Sequence, residues 1–209
     1  MPRRVDPEER REQIADAVID QIAAHGLRSV TLARIAERTG FAIGSIRHYF
    51  GDNIREVMRF TLGVLMQRIE RRVPSMSADP VLRIIDVITF AAPASERERR
   101  ENAAFIEYRV LGRTDPELGA DIAATSLAGI RAIRSLLQDA LAGRQISEEA
   151  LHQESLLLYT LIEGFSFSSA MLPTPLREGD VRSVVTTAVH RLRDTYPSSG
   201  RPGDAGASE

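Results

Sequence analysis

Arg47, His48 and Tyr49 fall within one turn of a single short helical stretch. A guanidinium fork matches the two acceptors that guanine shows in the major groove, and hydroxyl and imidazole groups can bond base edges or phosphates. None of the three makes a good apolar core residue. Ile46 and Phe50, four apart, would point the other way and pack inward. The chemistry on offer is recognition of a nucleic-acid groove, not bond cleavage. His25, His48, His152 and His190 are scattered, with no HExxH pair, DDxxD metal site, glycine-rich phosphate loop or nucleophile elbow. With no Cys there is no thiolate, no disulfide framework and no Cys-ligated metal. Neither catalysis, a metal nor a cofactor is expected; an acid/base pair such as Glu163 with His152 would be the alternative for a helical enzyme.

The elements that must hold these residues can be read on either side of them. Leu32, Ile35 and Ala36 recur at helical spacing and form the inward stripe of a short helix, with Arg34, Glu37 and Arg38 opposite. Gly40 supplies the positive φ that ends this helix. A second helix starts near Ile43. Small Ala36, turn Gly40 and apolar Ile46 have the spacing of a DNA-binding helix-turn-helix.

Bulk charge makes no case for nucleic acid, because the 209-residue chain carries a net charge of only −2. The basic excess is local. From Arg28 to Arg59 six Arg face Glu37, Asp52 and Glu56. Every basic residue is Arg, so any phosphate or base contact must use guanidinium forks or neutral donors. No stretch resembles a signal peptide or an apolar membrane span, so the chain is expected in the cytoplasm, without a membrane partner.

Taken in order, Met1 to Val5 is a short arm with Arg3 and Arg4, able to lie along a phosphate backbone or equally an inert start. Asp6-Pro7-Glu8-Glu9 starts a helix that runs to about His25, with an Asp cap, Pro at the first helical position and Glu9 at capping-box spacing. Thr31 caps the first motif helix. Asp52 is expected to cap a fourth helix that Pro74 stops. Further helices are expected from Asp79-Pro80 to near Pro93, Glu96 to Arg113, Asp115-Pro116 to Leu141, Ser147 to Met171 and Asp180 to Tyr196. Pro173 and Pro175 break the eighth. The resulting fold class is all-α, with about nine helices: a three-helix DNA-binding head over residues 1–51, a helical body over 52–196, and a disordered tail over 197–209.

This layout resembles the TetR family of bacterial transcriptional repressors. The specific part lies in residues 8–58, with EERREQIADAVIDQIAAHGL, VTLARIAERTG and IGSIRHYFGD. The IRHYF ending and the LIEGF segment at Leu161 to Phe165 are similar to the subgroup related to the choline-responsive repressor BetI. The resemblance implies a homodimer that reads a palindromic double-stranded DNA operator with one head per half-site. Carried over by position, Ile43, Gly44, Arg47 and His48 would face base edges, while Thr31, Ser45, Tyr49 and Asn53 would meet phosphates. The family often has Lys where this chain has Asn53, an amide that can bond phosphate but adds nothing to counterion release.

A body of this kind usually holds a mostly apolar pocket with a few polar anchors for a small-molecule inducer. Candidates are Met66, Phe90, Phe105, Tyr108, Tyr159 and Phe167, with Arg109 and Glu163 as charges in apolar surroundings. Ordinary core packing explains the aromatics equally well. Helices eight and nine offer stripes for a dimer interface: Leu151, Leu158, Ile162 and Phe165 on one, Val181, Val185, Val189 and Leu192 on the other. Part of each must also cover the protomer's own core. Helix four, continuous with the head, is the expected transmitter between inducer and DNA. The competing reading is a helical ligand-binding or adaptor protein without specific DNA binding.

Overall fold

The computed structural model describes residues 6–72, 76–174 and 176–198. Nine α-helices follow in order among them: α1 (Pro7–His25), α2 (Leu32–Thr39), α3 (Ile43–Phe50), α4 (Ile54–Glu70), α5 (Pro80–Thr89), α6 (Glu96–Gly112), α7 (Pro116–Ala140), α8 (Glu148–Met171) and α9 (Glu178–Thr195). A 3-10 turn at Leu27–Ser29 joins α1 to α2. The all-α class expected from periodicity is the one found. The arm at Arg3 and Arg4, Pro74, Pro175 and the stretch 199–209 lie outside the described residues.

The helices start where short polar side chains can take their orphan amides. Asp6, Asp79 and Asp115 each precede a Pro and accept backbone N–H bonds from the first turn. At Asp6 the carboxylate takes the Glu8 amide at 3.0 Å. The reciprocal capping box is instead at α6, where Ser95 accepts from the Glu98 amide at 3.2 Å and Glu98 accepts from the Ser95 amide at 3.3 Å.

Three expected boundaries need correction. Asn53 rather than Asp52 caps α4, its Oδ1 accepting from the Arg55 amide at 3.0 Å. The fifth helix ends at Thr89, short of Pro93. Pro197 and Ser198, assigned to the tail, are fastened: the Pro197 carbonyl accepts from the Gln145 amide at 3.0 Å, and Ser198 forms a bridge with Arg144. The Arg144 guanidinium also donates to the carbonyls of Arg193 and Tyr196, so a cation closes the negative end of α9.

Two apolar cores divide the molecule. The first joins Ile14, Val18 and Ile22 of α1 to Ile35, Ile46 and Phe50 of the motif, and continues into Val57, Met58, Leu62 and Leu65 of α4. It also takes in Ala104 and Tyr108 of α6 with Leu118 and Ile122 of α7. The second joins α5, the later part of α7, α8 and α9. Each fully buried Ile contributes about 1.5–3 kcal/mol relative to exposure. The head is therefore built onto α4 and α6, not merely tethered to them.

Polar contacts fix the same junction. Arg68 of α4 pairs with Asp16 of α1 at 2.6 Å and Glu101 of α6 at 3.0 Å. Arg55 and Arg59 pair with Asp115 and Asp121 at 3.2 and 3.0 Å, holding α4 to the start of α7. Glu107 of α6 accepts from the Leu27 amide at 3.2 Å, reaching the connection that leads into the motif. Tyr108 donates its buried hydroxyl to the Met58 carbonyl of α4 at 3.0 Å, and burial pushes its pKa upward. Where α6 meets α7, Gly112 and Gly119 allow a close backbone approach: a Cβ on Gly119 would run into the Gly112 carbonyl.

The expected dimer stripes are corrected here. Leu151, Leu158, Val181, Val185, Val189 and Leu192 are all buried within the protomer, where α8 and α9 lay them against α5 and α7. Ile162 and Phe165 are half-buried against the same core. The apolar side chains left outside are others: Leu156, Leu157, Phe167 and Met171 on α8, and Val184 on α9.

Candidate nucleic-acid interface

The motif is assembled from its caps outward. Thr31, in extended backbone, accepts from the Arg34 amide at 3.3 Å and starts α2. Thr39 donates to the Ile35 carbonyl at 2.8 Å and accepts from the Phe41 amide at 3.2 Å, holding the turn together. Gly40 sits at φ 71°, a left-handed conformation that a Cβ would oppose. Ala42 then precedes α3 without offering a side-chain oxygen, so the first amides of α3 have no side-chain cap.

Only one face of α3 is committed to the fold. Ile46 is fully buried and Phe50 nearly so, the latter packed at 5.2 Å ring separation against Phe60 of α4. The Arg11 guanidinium covers both rings, 5.3 and 4.9 Å from their centroids. Ile43, Gly44, Arg47 and His48 stay exposed on the other face, with no atom within 4 Å of a Cβ built on Gly44. Ser45 and Tyr49 are half-buried at its margins, Tyr49 edge-on to His48 at 5.5 Å. Thr31 and Asn53, both exposed, flank this face. Their capping bonds use oxygen as acceptor, which leaves the Thr31 hydroxyl proton and the Asn53 amino group able to donate.

Electrostatics sort the remaining cations. Arg55 and Arg59 are engaged with acids of α7, and Arg38 and Arg100 share Asp20. Arg34 is exposed and donates to the Ser29 carbonyl at 3.3 Å, and Arg28 is exposed as well. Neither entered the sequence-based set, although both belong to the local Arg excess. Arg47 itself is met by Asp52, Nε to Oδ1 at 2.6 Å.

The eight residues expected to line one pocket have different surroundings. Arg109 of α6 and Glu163 of α8 form an ion pair, with the Phe105 ring 5.7 Å from the Arg109 guanidinium. Tyr108 belongs to the first core, whereas Tyr159 packs against the second, close over Gly129. Phe90 lies under the Arg72 guanidinium at 4.5 Å, Met66 is half-buried and Phe167 is exposed. A notch of about 330 Å³ opens elsewhere, at the head, between Arg11, Tyr49, Phe50, Glu56, Arg59 and Phe60. No cluster of acids and His able to hold a metal occurs among the described residues, and no helix among them is long and apolar enough to cross a membrane.

Comparison with known proteins agrees with this geometry. Residues 14–57 match the family described as bacterial regulatory proteins, tetR family, and residues 80–194 match the BetI-type transcriptional repressor, C-terminal. The transcriptional regulator PksA of Bacillus subtilis is 21% identical over 92% of this chain and 94% of its own. BetI of Paraburkholderia phytofirmans is 36% identical over 42% of this chain and 47% of its own. Among solved structures, a transcriptional regulator from Rhodococcus sp. Rha1 superposes with a TM-score of 0.76 at 19% identity, covering 89% of this chain and 97% of that one. A regulator from Saccharomonospora viridis, solved in complex with choline, gives 0.71 at 14% identity over 88% and 96% of the two chains. With a tetR-type helix-turn-helix domain at one end and a BetI-type body making up the rest, the chain belongs to the TetR family of transcriptional regulators.

Proposed function

We propose that the protein is a repressor that binds a palindromic operator as a homodimer and leaves it when a small molecule enters the helical body. The observation that carries this reading is the division of α3. Ile46 and Phe50 fix the helix to the fold, while Ile43, Gly44, Arg47 and His48 are left outside with no structural task of comparable weight. In this reading those four face base edges, and Thr31, Ser45, Tyr49 and Asn53 hold phosphates. Residues 1–51 carry DNA recognition, and 52–196 carry inducer binding and dimerisation.

The dimer uses the faces of α8 and α9 that the protomer leaves open. Leu157, Thr160, Gly164, Phe167 and Met171 recur at spacings of three and four along exposed α8, and Val184 stands exposed on α9. Two such helix pairs can close as a four-helix bundle about a two-fold axis. The inducer site is centred on the Arg109 and Glu163 pair with Phe105, where α6 meets α8. A ligand favouring a head spacing that does not fit DNA weakens operator binding by its differential affinity for the two states.

The test is recovery of protein-bound fragments from genomic DNA of the source organism across a salt series, followed by sequencing. Palindrome-containing fragments should be enriched, and Arg47→Ala should cost roughly 1–3 kcal/mol with relaxed sequence preference. Salt-labile binding with no shared sequence would refute the operator reading and leave a ligand-binding protein.

A further inference from the structure

We propose that Asp52 is a positioning residue for base recognition: its carboxylate holds Nε of Arg47, so that the two terminal nitrogens of the guanidinium are the ones presented to the groove. The inference rests on the reading of α3 as the groove-facing helix.

The local backbone places Asp52 for this contact. The Gly51 amide closes α3 on the Arg47 carbonyl at 2.7 Å, and its φ of 69° turns the chain back beside the helix. The next residue is then returned to the Arg47 side chain, and Asp52 Oδ1 stands 2.6 Å from Arg47 Nε. Capping of α4 does not require Asp52, because Asn53 supplies it.

Stability does not account for the pair. The two side chains are 56% and 83% exposed, a setting in which an ion pair contributes little to the fold. An acid at this point also opposes an approaching phosphate backbone, and the neighbouring Asn53 brings no compensating charge. Both features make sense if they raise discrimination instead of affinity. A free Arg side chain samples many rotamers and can follow phosphates or several base edges. With Nε occupied, the fork can approach only end-on, through Nη1 and Nη2, the geometry that matches the O6 and N7 acceptors of guanine. Where guanine is absent, the Asp52 repulsion is not offset by a bidentate contact.

The experiment uses the full chain and a duplex library randomised over about 20 base pairs, enough for two half-sites one helical turn apart. The duplex selected by the wild type is then remade with each half-site guanine replaced in turn. Dissociation constants are measured for wild type, Asp52→Asn, Arg47→Ala and the double variant, and for an unselected duplex. One guanine position should lose its preference in Arg47→Ala. Asp52→Asn should reduce preference at that same position about five- to tenfold, a part of what one bidentate contact supplies. It should bind the unselected duplex as tightly as wild type or more so. In the Arg47→Ala background, Asp52→Asn should change discrimination no further.

An unchanged preference in Asp52→Asn, or an equal loss with and without Arg47, would overturn the positioning role while leaving groove reading by Arg47 intact. A wild type that selects no sequence would overturn both. Thermal unfolding of Asp52→Asn at the wild-type temperature separates these outcomes from misfolding.

Discussion

Phe167→Asp should convert the proposed dimer to a folded monomer, and the size of the effect follows from where the ring sits. Phe167 is 56% exposed in the protomer. A Phe carries about 150–250 Å² of surface, so roughly 110 Å² of this ring is open to cover by a partner. At about 25 cal/mol per Å², full cover contributes about 3 kcal/mol, and two-fold symmetry counts it in both subunits. Asp removes that gain and places two carboxylates near each other in the seam. The dimer dissociation constant should rise by about three orders of magnitude or more, since each factor of ten is about 1.4 kcal/mol. Sedimentation equilibrium of both proteins over a concentration series reads this directly. The protomer should keep its helical circular dichroism, because the substituted side chain leaves no cavity. Leu158→Asp provides the contrast: that residue is fully buried, so its variant should unfold the protomer. A Phe167→Asp protein that dimerises as the wild type does, or melts as Leu158→Asp does, would refute the assignment of this face.

Glu107→Ala removes the acceptor of the Leu27 amide and should destabilise the chain by about 1.5–3 kcal/mol, the range for a hydrogen bond to a charged group. Amide exchange should accelerate at Leu27 and its neighbours, whereas equal protection in variant and wild type would show that α6 does not fasten this turn. Gly119→Ala should cost about 1–3 kcal/mol, because the new methyl meets backbone that α6 cannot withdraw without repacking. Gly129→Ala meets only the edge of the Tyr159 ring at 2.8 Å, which can swing aside, so denaturant midpoints should rank Gly119→Ala well below Gly129→Ala.

The sequence exposed the fold wherever a local chemical rule decides the structure. Asp before Pro starts a helix because the carboxylate and the fixed φ of Pro both act within one turn, and α1, α5 and α7 begin in this way. The motif was legible for the same reason: Thr31, Gly40, Ile46 and Phe50 each answer a constraint from near neighbours. The cap of α4 was not separable in the sequence because Asp52 and Asn53 are adjacent and both able to cap, and only the start of the helix at Ile54 decides between them. The stripes of α8 and α9 could not be divided by periodicity. Leu157 and Leu158 are adjacent and equally apolar, yet one is 54% exposed and the other fully buried. Which side of α8 faces α7 is a property of the whole bundle.

Helix α4 is the expected carrier of an inducer signal, but the contacts give α6 at least an equal part. Three consecutive α6 residues reach three different partners. Glu107 holds the Leu27 amide ahead of the motif, Tyr108 holds the Met58 carbonyl of α4, and Arg109 pairs with Glu163 of α8. A ligand that parts Arg109 from Glu163 therefore acts on the same turn of helix that fastens the head. Because the core around Tyr108 is continuous from α1 to α7, that turn cannot shift alone. The head and α4, which share that core, must then respond together with α6. In the proposed reading, the contact of α6 with α8 at Arg109 and Glu163 is then the place where an inducer would act on the head.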